Sequence, residues 1–329
     1  LMKVLVIGGV AAGTKTAAKI KRMDPAAEVT ILTKGKDISY AGCGLPYYVG
    51  GLIPEKEQLI VNTPAKFTAL TGAKVLVERE VTSLDAAAKQ VVAKNLRTGT
   101  EETYTYDECV IACGASSIVP PLQGVSLPGV FTMRTPDDAI ELREYLEQTG
   151  AKRAVVAGGG FIGLEAAENM AEKGLSVTVI DMADQIMPGF DKDMADYAKR
   201  HLEKKGIKVL LNTRLEAVLG DSKAEGIKIP DGELKADVVV MSLGIRPNTA
   251  FLRDTGLEMA KNGTILVDKQ MRTNLEHVYA AGDCACVYNR MTEQRAWSPM
   301  GSAANMEGRT LAESKYGTEG SFEGTLSTA

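Results

Sequence analysis

Apolar and polar positions follow the same order at two places in the chain. In the first, the apolar run Val4–Ile7 leads through a glycine-rich turn and a segment of helical spacing to a β-branched run, Val29–Thr33. In the second, Ala154–Ala157 leads through a similar turn and helical segment to Val177–Ile180. This order is typical of parallel sheets. The pattern therefore predicts an α/β protein with two doubly wound parallel sheets, related by an internal duplication.

The rest of the pattern predicts short strands and linkers. Residues 78–107 have the pattern of short strands and turns, with a candidate hairpin at residues 96–100. The apolar run Ala236–Leu243 is typical of a buried strand. Pro120 with Pro121, and Gly244–Asn248, have the composition of linkers between domains.

One acidic residue follows a predicted strand. Val278–Ala281 is apolar and is followed by Gly282 and Asp283. Ligands of open α/β sheets bind at the carboxyl ends of the strands, which makes Asp283 a candidate ligand-binding residue. The alternative is that Asp283 caps a following helix.

The second glycine-rich turn has the spacing Gly158-x-Gly160-x-x-Gly163. Glycines let the backbone approach a pyrophosphate, whose charge then lies at a helix N-terminus. Asp181, at the end of the next strand, is placed to accept a hydrogen bond from a ribose 2′-hydroxyl and to repel a 2′-phosphate. The turn predicts a dinucleotide site that favours NADH over NADPH. The alternative is a structural turn with a capping aspartate.

The first glycine-rich turn departs from this spacing. Gly8, Gly9 and Gly13 are present, but Val10 stands at the middle glycine and Thr33 stands at the ribose-binding acid. Taken alone, this turn leaves a dinucleotide site and a structural turn equally open. The duplication favours a second dinucleotide site.

A single cysteine lies in a glycine-rich segment. Cys43 stands between Gly42 and Gly44, and Pro46 suits the first turn of a helix. A helix N-terminus lowers the pKa of a thiol, and the small neighbours leave the sulfur accessible. We therefore predict a nucleophilic or redox-active thiol, the alternative being a small buried apolar residue.

Composition excludes several classes of function. The 329 residues carry a formal net charge of −4, and 45% are hydrophobic. We therefore expect a folded protein that binds neither nucleic acid nor membrane through bulk charge. Five cysteines and two histidines argue against a disulfide framework and a metal site, and favour the cytoplasm.

Together these segments resemble a known family. The resemblance is to flavoprotein disulfide reductases with one redox cysteine, the branch that contains coenzyme A-disulfide reductase, NADH-dependent persulfide reductase and NADH oxidase. It rests on five segments in order along the chain: 39–46, 109–115, 244–248, 280–285 and 297–309.

The resemblance implies a glutathione-reductase-like FAD/NAD(P) fold of two Rossmann-like domains, the second inserted in the first. The discontinuous FAD domain would comprise residues 1–113 and 246–329, and the NAD(P) domain residues 114–245. Residues 321–329 resemble the start of a C-terminal dimerisation domain that the chain lacks. We expect a homodimer when that domain is present and a monomer without it.

The resemblance also implies cofactor-binding residues. Those expected to bind FAD are Gly8, Gly9, Val10, Ala11, Ala12, Gly13, Thr33, Lys34, Val81, Ala112, Cys113, Gly114, Gly282, Asp283, Pro299, Met300, Gly301 and Ala303. Those expected to bind NADH, with NADPH disfavoured, are Gly158, Gly160, Phe161, Ile162, Gly163, Glu165, Asp181 and Gly244.

The implied reaction passes electrons from NADH through FAD to Cys43 and then to a small disulfide or persulfide, such as coenzyme A disulfide. Arg22, Ser39 and Gly42 are the expected substrate residues. The family's peroxidases have a histidine where this chain has Ala11, which favours a thiol substrate. The alternatives are an NADH oxidase that uses oxygen as the acceptor while Cys43 cycles through a sulfenic acid, and a redox sensor that binds FAD and NAD without turnover.

Overall fold

The computed structural model describes residues 1–317 and 320–326. The α-helices are α1 Ala11–Met23, α2 Leu45–Gly50, α3 Pro64–Thr71, α4 Pro136–Thr149, α5 Phe161–Glu172, α6 Lys192–Lys204 and α7 Gly301–Lys315. Short 3₁₀ turns cover Gly42–Gly44, Lys56–Leu59 and Ala250–Leu252.

The strands, in chain order, are β1 Lys3–Ile7, β2 Glu28–Leu32, β3 Lys74–Leu76, β4 Arg79–Asp85, β5 Gln90–Asn95, β6 Glu101–Thr105, β7 Glu108–Ile111, β8 Ala115–Ser117, β9 Val130–Phe131, β10 Arg153–Ala157, β11 Ser176–Ile180, β12 Lys208–Leu210, β13 Ala217–Leu219, β14 Gly226–Ile229, β15 Gly232–Lys235, β16 Val238–Met241, β17 Ile245–Pro247, β18 Ile265–Leu266, β19 Val278–Ala280, β20 Ala285–Asn289 and β21 Gln294–Ala296.

The chain forms two compact units. The first contains Leu1–Tyr40, Ile60–Ser116 and the described residues from Arg246 onward, and the second contains Ala41–Leu59 and Ser117–Ile245. Strands β8 and β17 each contain one of the points where the chain passes from one unit to the other.

The first unit is built on a parallel sheet with the strand order β19-β7-β1-β2-β3. In the centre, Val4 pairs with Val29 of β2 and with Glu108 of β7. Residues of β1, β2 and β7 are almost all buried, as expected for parallel strands covered on both faces. Strands β4, β5 and β6 form an antiparallel sheet within residues 78–107, where short strands and turns were predicted.

The second unit repeats the plan with the strand order β12-β11-β10-β16-β9, again parallel. A separate antiparallel sheet contains β13, β14 and β15. The predicted fold class, two doubly wound α/β units, is confirmed. In each sheet the glycine-rich turn follows the carboxyl end of the central strand, β1 in the first unit and β10 in the second. Open α/β sheets bind ligands at this end of their strands.

The compact units differ from the expected domains at residues 41–59 and at residues 114–116, the latter of which belong to the first unit. Residues 41–59 were expected in the FAD domain, whereas the structure groups Ala41–Leu59 with the second unit. The physical reason is packing, because α2 contacts both α4 and α5. The predicted start of a third domain lies at the chain end, and its residues 327–329 are outside the described residues.

Candidate cofactor and redox site

The first glycine-rich turn brings strands β1 and β7 close to helix α1. Gly8 has a φ of +114°, and a Cβ added there would lie 1.9 Å from the carbonyl oxygen of Ala112. A Cβ on Gly13 would lie 2.0 Å from the carbonyl oxygen of Gly8. Only glycine therefore fits at either position, and the turn has the close approach that a pyrophosphate cradle requires.

The valine in this turn has a structural explanation. Val10 has a φ of −106°, outside the left-handed region, so its backbone does not require glycine. Its carbonyl accepts hydrogen bonds from the backbone and side chain of Thr14 in the first turn of α1. Ala11 begins the helix, and Ala12 is buried. Valine at the position of the middle glycine therefore preserves the turn and adds a side chain at the helix N-terminus.

Other residues expected to bind FAD lie on neighbouring strands of the first unit. The backbone of Thr33 is hydrogen-bonded to Leu76 and Arg79, which fixes the end of β2. Lys34 forms an exposed ion pair with Glu80 at 2.8 Å. The remaining expected positions in this region are the buried Val81 of β4, together with Ala112, Cys113 and Gly114 after β7.

The turn after β19 depends on a buried carboxylate. The backbone N–H of Gly282 donates to Oε2 of Glu307 at 2.6 Å, and Glu307 is 1% exposed. Burial raises the pKa of Glu307 to about 7, and the charge of Asp283 adds to this although the Gly282 hydrogen bond opposes it. Strand β20 begins at Ala285, so the alternative that Asp283 caps a following helix is wrong.

Glu307 was not among the residues predicted from the sequence, although the pattern contained a signal for it. Glu307 lies four residues after Ala303 and four before Leu311, both buried on α7. A carboxylate in the middle of an apolar helical stripe indicates a buried polar contact. The expected FAD residues Pro299, Met300, Gly301 and Ala303 lie at the N-terminus of the same helix.

The glycine-rich turn of the second unit has almost the same geometry. Gly158 has a φ of +113°, and a Cβ there would lie 2.0 Å from the carbonyl oxygen of Ser242. A Cβ on Gly163 would lie 2.1 Å from the carbonyl oxygen of Gly158. A Cβ on Gly160 would meet no atom within 4 Å. Gly160 is therefore not required for packing, and its open side suits a bound pyrophosphate.

Asp181 is held by this turn. Its Oδ2 accepts from the backbone N–H of Gly159 at 2.6 Å, and its Oδ1 accepts from the N–H of Ala183 at 2.8 Å. These bonds orient the carboxylate and leave acceptor capacity on both oxygens. The arrangement suits a ribose hydroxyl. The alternative role, an aspartate that stabilises the turn by accepting from backbone N–H groups, is present at the same time.

Helix α5 places further expected NADH residues at the edge of the second unit. Phe161 is 50% exposed and packs edge-to-face on Phe190, with the ring centroids 5.7 Å apart. The carboxylate of Glu165 accepts from the Tyr47 hydroxyl at 3.3 Å. Burial raises the pKa of Glu165, and the charge of Glu165 is the main cause of a raised pKa of Tyr47. The other expected residues are the exposed Ile162 and Gly244, which has a φ of +98°.

Cys43 lies in the 3₁₀ turn immediately before α2, which has Pro46 in its first turn. Its thiol is exposed, whereas Cys109, Cys284 and Cys286 are buried. The alternative of a small buried residue at this position is therefore wrong. A Cβ on Gly42 would meet no atom within 4 Å, so the chain beside the thiol is uncrowded.

The expected substrate residues lie in two different units. Arg22 is exposed on α1 and lines a cavity of about 360 Å³ in the first unit, together with Lys21, Asn62 and Phe67. Ser39 belongs to the same unit, and its N–H donates to the carbonyl of Gly9 at 2.9 Å. Gly42 belongs to the second unit with Cys43.

Within residues 1–317 and 320–326, no three His, Cys, Asp or Glu side chains come together as a metal site would require. No helix in this part of the chain has the length and apolar content needed to cross a membrane. The residues present fit a dinucleotide in each unit, because each turn brings a strand end and a helix N-terminus into close backbone approach, and in the second turn the open side of Gly160 leaves room for a pyrophosphate.

The chain is similar to proteins of known activity. The sequence pattern of the family described as pyridine nucleotide-disulphide oxidoreductase matches residues 2–306. NADH oxidase of Methanocaldococcus jannaschii is 36% identical over 330 residues, which cover 100% of this chain and 73% of that protein. NAD(P)H coenzyme A polysulfide/persulfide reductase of Pyrococcus horikoshii is 36% identical over 329 residues, 99% of this chain and 72% of that protein.

A solved structure agrees with these similarities. The NAD-dependent persulfide reductase from A. fulgidus superposes with a TM-score of 0.95 and is 39% identical. The match covers 100% of this chain and 62% of that one, so this chain spans less than two thirds of the solved protein.

Proposed function

Since the chain belongs to the pyridine nucleotide-disulphide oxidoreductase family, we propose that it transfers electrons from a reduced pyridine nucleotide through FAD to Cys43 and then to a small disulfide or persulfide. The observation that carries this proposal is the exposed Cys43 thiol in a glycine-lined turn, in a chain with two dinucleotide-type glycine turns. Each of these features has a counterpart in the reaction.

The first unit would hold FAD through the turn at Gly8 and Gly13 and through the segment at Gly282 and Asp283. The second would hold NADH through the turn at Gly158 and through Asp181. Bound FAD supplies the redox chemistry, accepting a hydride and passing two electrons to sulfur.

Cys43 supplies the nucleophile. Its thiolate attacks one sulfur of a disulfide RS–SR, which forms a mixed disulfide and releases one thiolate RS⁻. Two electrons then cleave the mixed disulfide, which restores the Cys43 thiolate and releases the second RS⁻. Each released thiolate takes one proton from solvent or from a nearby donor. With a persulfide, the same attack on the outer sulfur releases the carrier thiol, and reduction of the Cys43 persulfide releases sulfide.

The cavity beside Arg22 supports a substrate that carries phosphate groups. The guanidinium of Arg22 is suited to phosphate, and Phe67 and Leu70 offer apolar surface in the same cavity. A coenzyme A disulfide or persulfide combines both properties. Asp181 supports a preference for NADH, because its carboxylate would repel the 2′-phosphate of NADPH.

An NADH oxidase is the second candidate, because the relative from Methanocaldococcus jannaschii has that name at 36% identity. In that reaction electrons from one NADH would reduce oxygen to peroxide, which would oxidise the Cys43 thiolate to a sulfenic acid and release hydroxide. Electrons from a second NADH would reduce the sulfenic acid to the thiolate and water. Homodimerisation, a cytoplasmic location and the absence of nucleic acid and membrane partners stay predictions.

Anaerobic NADH consumption tests the proposal. Coenzyme A disulfide or polysulfide should support turnover by the native protein, and Cys43→Ser should lose it. Cys286→Ala changes a buried cysteine and should retain it. Turnover only in air would favour the oxidase, whereas no turnover with any acceptor would favour a redox sensor. A Cys43→Ser protein that still reduces either sulfur substrate would overturn the mechanism.

A further inference from the structure

The turn that contains Cys43 leads directly into helix α2, and this helix is too short to be stable without tertiary contacts. The helix has six residues, Leu45–Gly50, and the 3₁₀ turn with Cys43 precedes it directly. Helices this short are not stable alone in water, so tertiary contacts decide where the turn lies. Those contacts come from α4 and α5 of the same unit.

Arg143, on α4, binds the C-terminal end of this helix. Its Nη1 donates to the carbonyl oxygens of Tyr48 at 3.2 Å, Ile53 at 3.3 Å and Pro54 at 3.0 Å. Its guanidinium carbon also lies 4.6 Å from the centroid of the Tyr48 ring. Tyr48 lies in the last turn of α2, where a cation interacts favourably with the negative end of the helix, and Ile53 and Pro54 lie in the loop that follows.

The arginine is itself held in place. Its Nε donates to Glu147 at 3.0 Å, one helical turn further along α4. The guanidinium therefore contacts a carboxylate, three carbonyls and an aromatic face at once. A lysine ammonium has no planar fork with which to reproduce this combination.

Helix α5 contacts α2 from another direction. A Cβ on Gly50 would lie 2.2 Å from Oδ1 of Asn169, so the end of α2 lies directly against α5. The Tyr47 hydroxyl donates to Glu165 of the same helix. These contacts restrain α2 at Tyr47 and Gly50, while Arg143 restrains its end and the loop that follows.

We propose that Arg143 is a positioning residue for the Cys43 thiol. By binding the carbonyls at the end of α2 and in the next loop, it prevents α2 from moving along α5 and so keeps the thiol in one orientation. This inference rests on the proposed function for its catalytic consequence. Arg143 itself would touch neither substrate nor cofactor.

The test compares Arg143→Ala and Arg143→Lys with Glu147→Gln and Arg153→Ala. Glu147→Gln keeps the three carbonyl contacts, and Arg153 is an arginine of the same unit paired with Asp237. Stopped-flow absorbance separates flavin reduction by NADH from the reduction of coenzyme A disulfide. Hydrogen exchange reports the backbone amides within residues 45–54 other than Pro46 and Pro54, which have no N–H.

In Arg143→Ala we expect flavin reduction to stay within about twofold, while disulfide reduction slows about 10- to 100-fold because the thiol loses its alignment. Exchange at residues 45–54 should rise about tenfold or more with loss of the charge-assisted hydrogen bonds. Arg143→Lys should restore part of both losses. Glu147→Gln should have a smaller effect, and Arg153→Ala should change neither measurement.

Unchanged exchange at residues 45–54 in folded Arg143→Ala would overturn the proposal, as would equal slowing of both half-reactions. If circular dichroism shows that Arg143→Ala does not fold, Arg143→Lys decides by the same criteria. Failure of the proposed function gives a different result, because sulfur-dependent turnover would then survive in Cys43→Ser or be absent from the native protein, whatever the exchange at residues 45–54.

Discussion

The buried carboxylate of Glu307 makes the stability of the first unit depend on pH. Its pKa is about 7 in the folded protein and near the ordinary value of 4.5 in the unfolded chain. Between these values the folded state holds the proton more tightly than the unfolded state does, so stability falls as pH rises from about 4.5 to about 7 and changes no further above that. A shift of this size corresponds to about 3 kcal/mol.

Glu307→Gln removes the ionisation and keeps an oxygen that can accept the hydrogen bond from Gly282. The variant should match the native protein at about pH 5 and exceed its free energy of unfolding by up to about 3 kcal/mol at about pH 8. Urea unfolding followed by circular dichroism measures both values. Glu101→Gln, at an exposed position on β6, serves as the control and should leave the pH dependence unchanged.

Two results would contradict this reasoning about Glu307. The first is a native protein and a Glu307→Gln variant with the same pH dependence. The second is a variant that is less stable throughout the range, which would mean that the charged carboxylate stabilises the Gly282 turn by more than its burial costs.

Three further predictions follow from the glycine-rich turn of the second unit and from the Arg22 cavity. Gly158→Ala should lower the free energy of unfolding by about 2–4 kcal/mol, because φ is positive and the Cβ would meet a carbonyl. Gly160→Ala should change the free energy of unfolding by less than about 0.5 kcal/mol and still weaken NADH binding. Thermal unfolding measures the stability of both variants, and titration with NADH measures the binding. Asp181→Asn should raise the NADPH-to-NADH ratio of kcat/KM about tenfold, since a like-charge repulsion is removed, and an unchanged ratio would exclude that role. Arg22→Ala should raise KM for coenzyme A disulfide about tenfold and leave KM for a disulfide without phosphate groups unchanged, whereas an equal rise for both would exclude phosphate recognition.

The structure also bears on how relatives of this protein should be compared. Two turns with nearly equal backbone geometry, at Gly8 and Gly158, tolerate different residues at the middle position, Val10 and Gly160. Neither of these two positions has a positive φ, so the fold does not require glycine at either. A missing middle glycine is therefore weak evidence against a dinucleotide site when the first and last glycines of the turn are present.

Local sequence patterns were enough to determine the two α/β units, their glycine turns and the exposed cysteine. Buried parallel strands produce continuous apolar runs, and close approach at Gly8, Gly13, Gly158 and Gly163 excludes every side chain, so each feature is visible within a few residues. The short strands within residues 78–107 were visible because turn residues separate them.

Only the tertiary structure decided which distant segments meet. It placed residues 41–59 with the second unit, set Glu307 beneath the turn at Gly282, and brought Arg143 to the end of α2. A glutamate on an apolar stripe and an arginine on an amphipathic helix do not identify their partners, because the partner is selected by the packing of elements far apart in the chain. Burial and charge compensation at these contacts arise only when the sheets and helices have assembled.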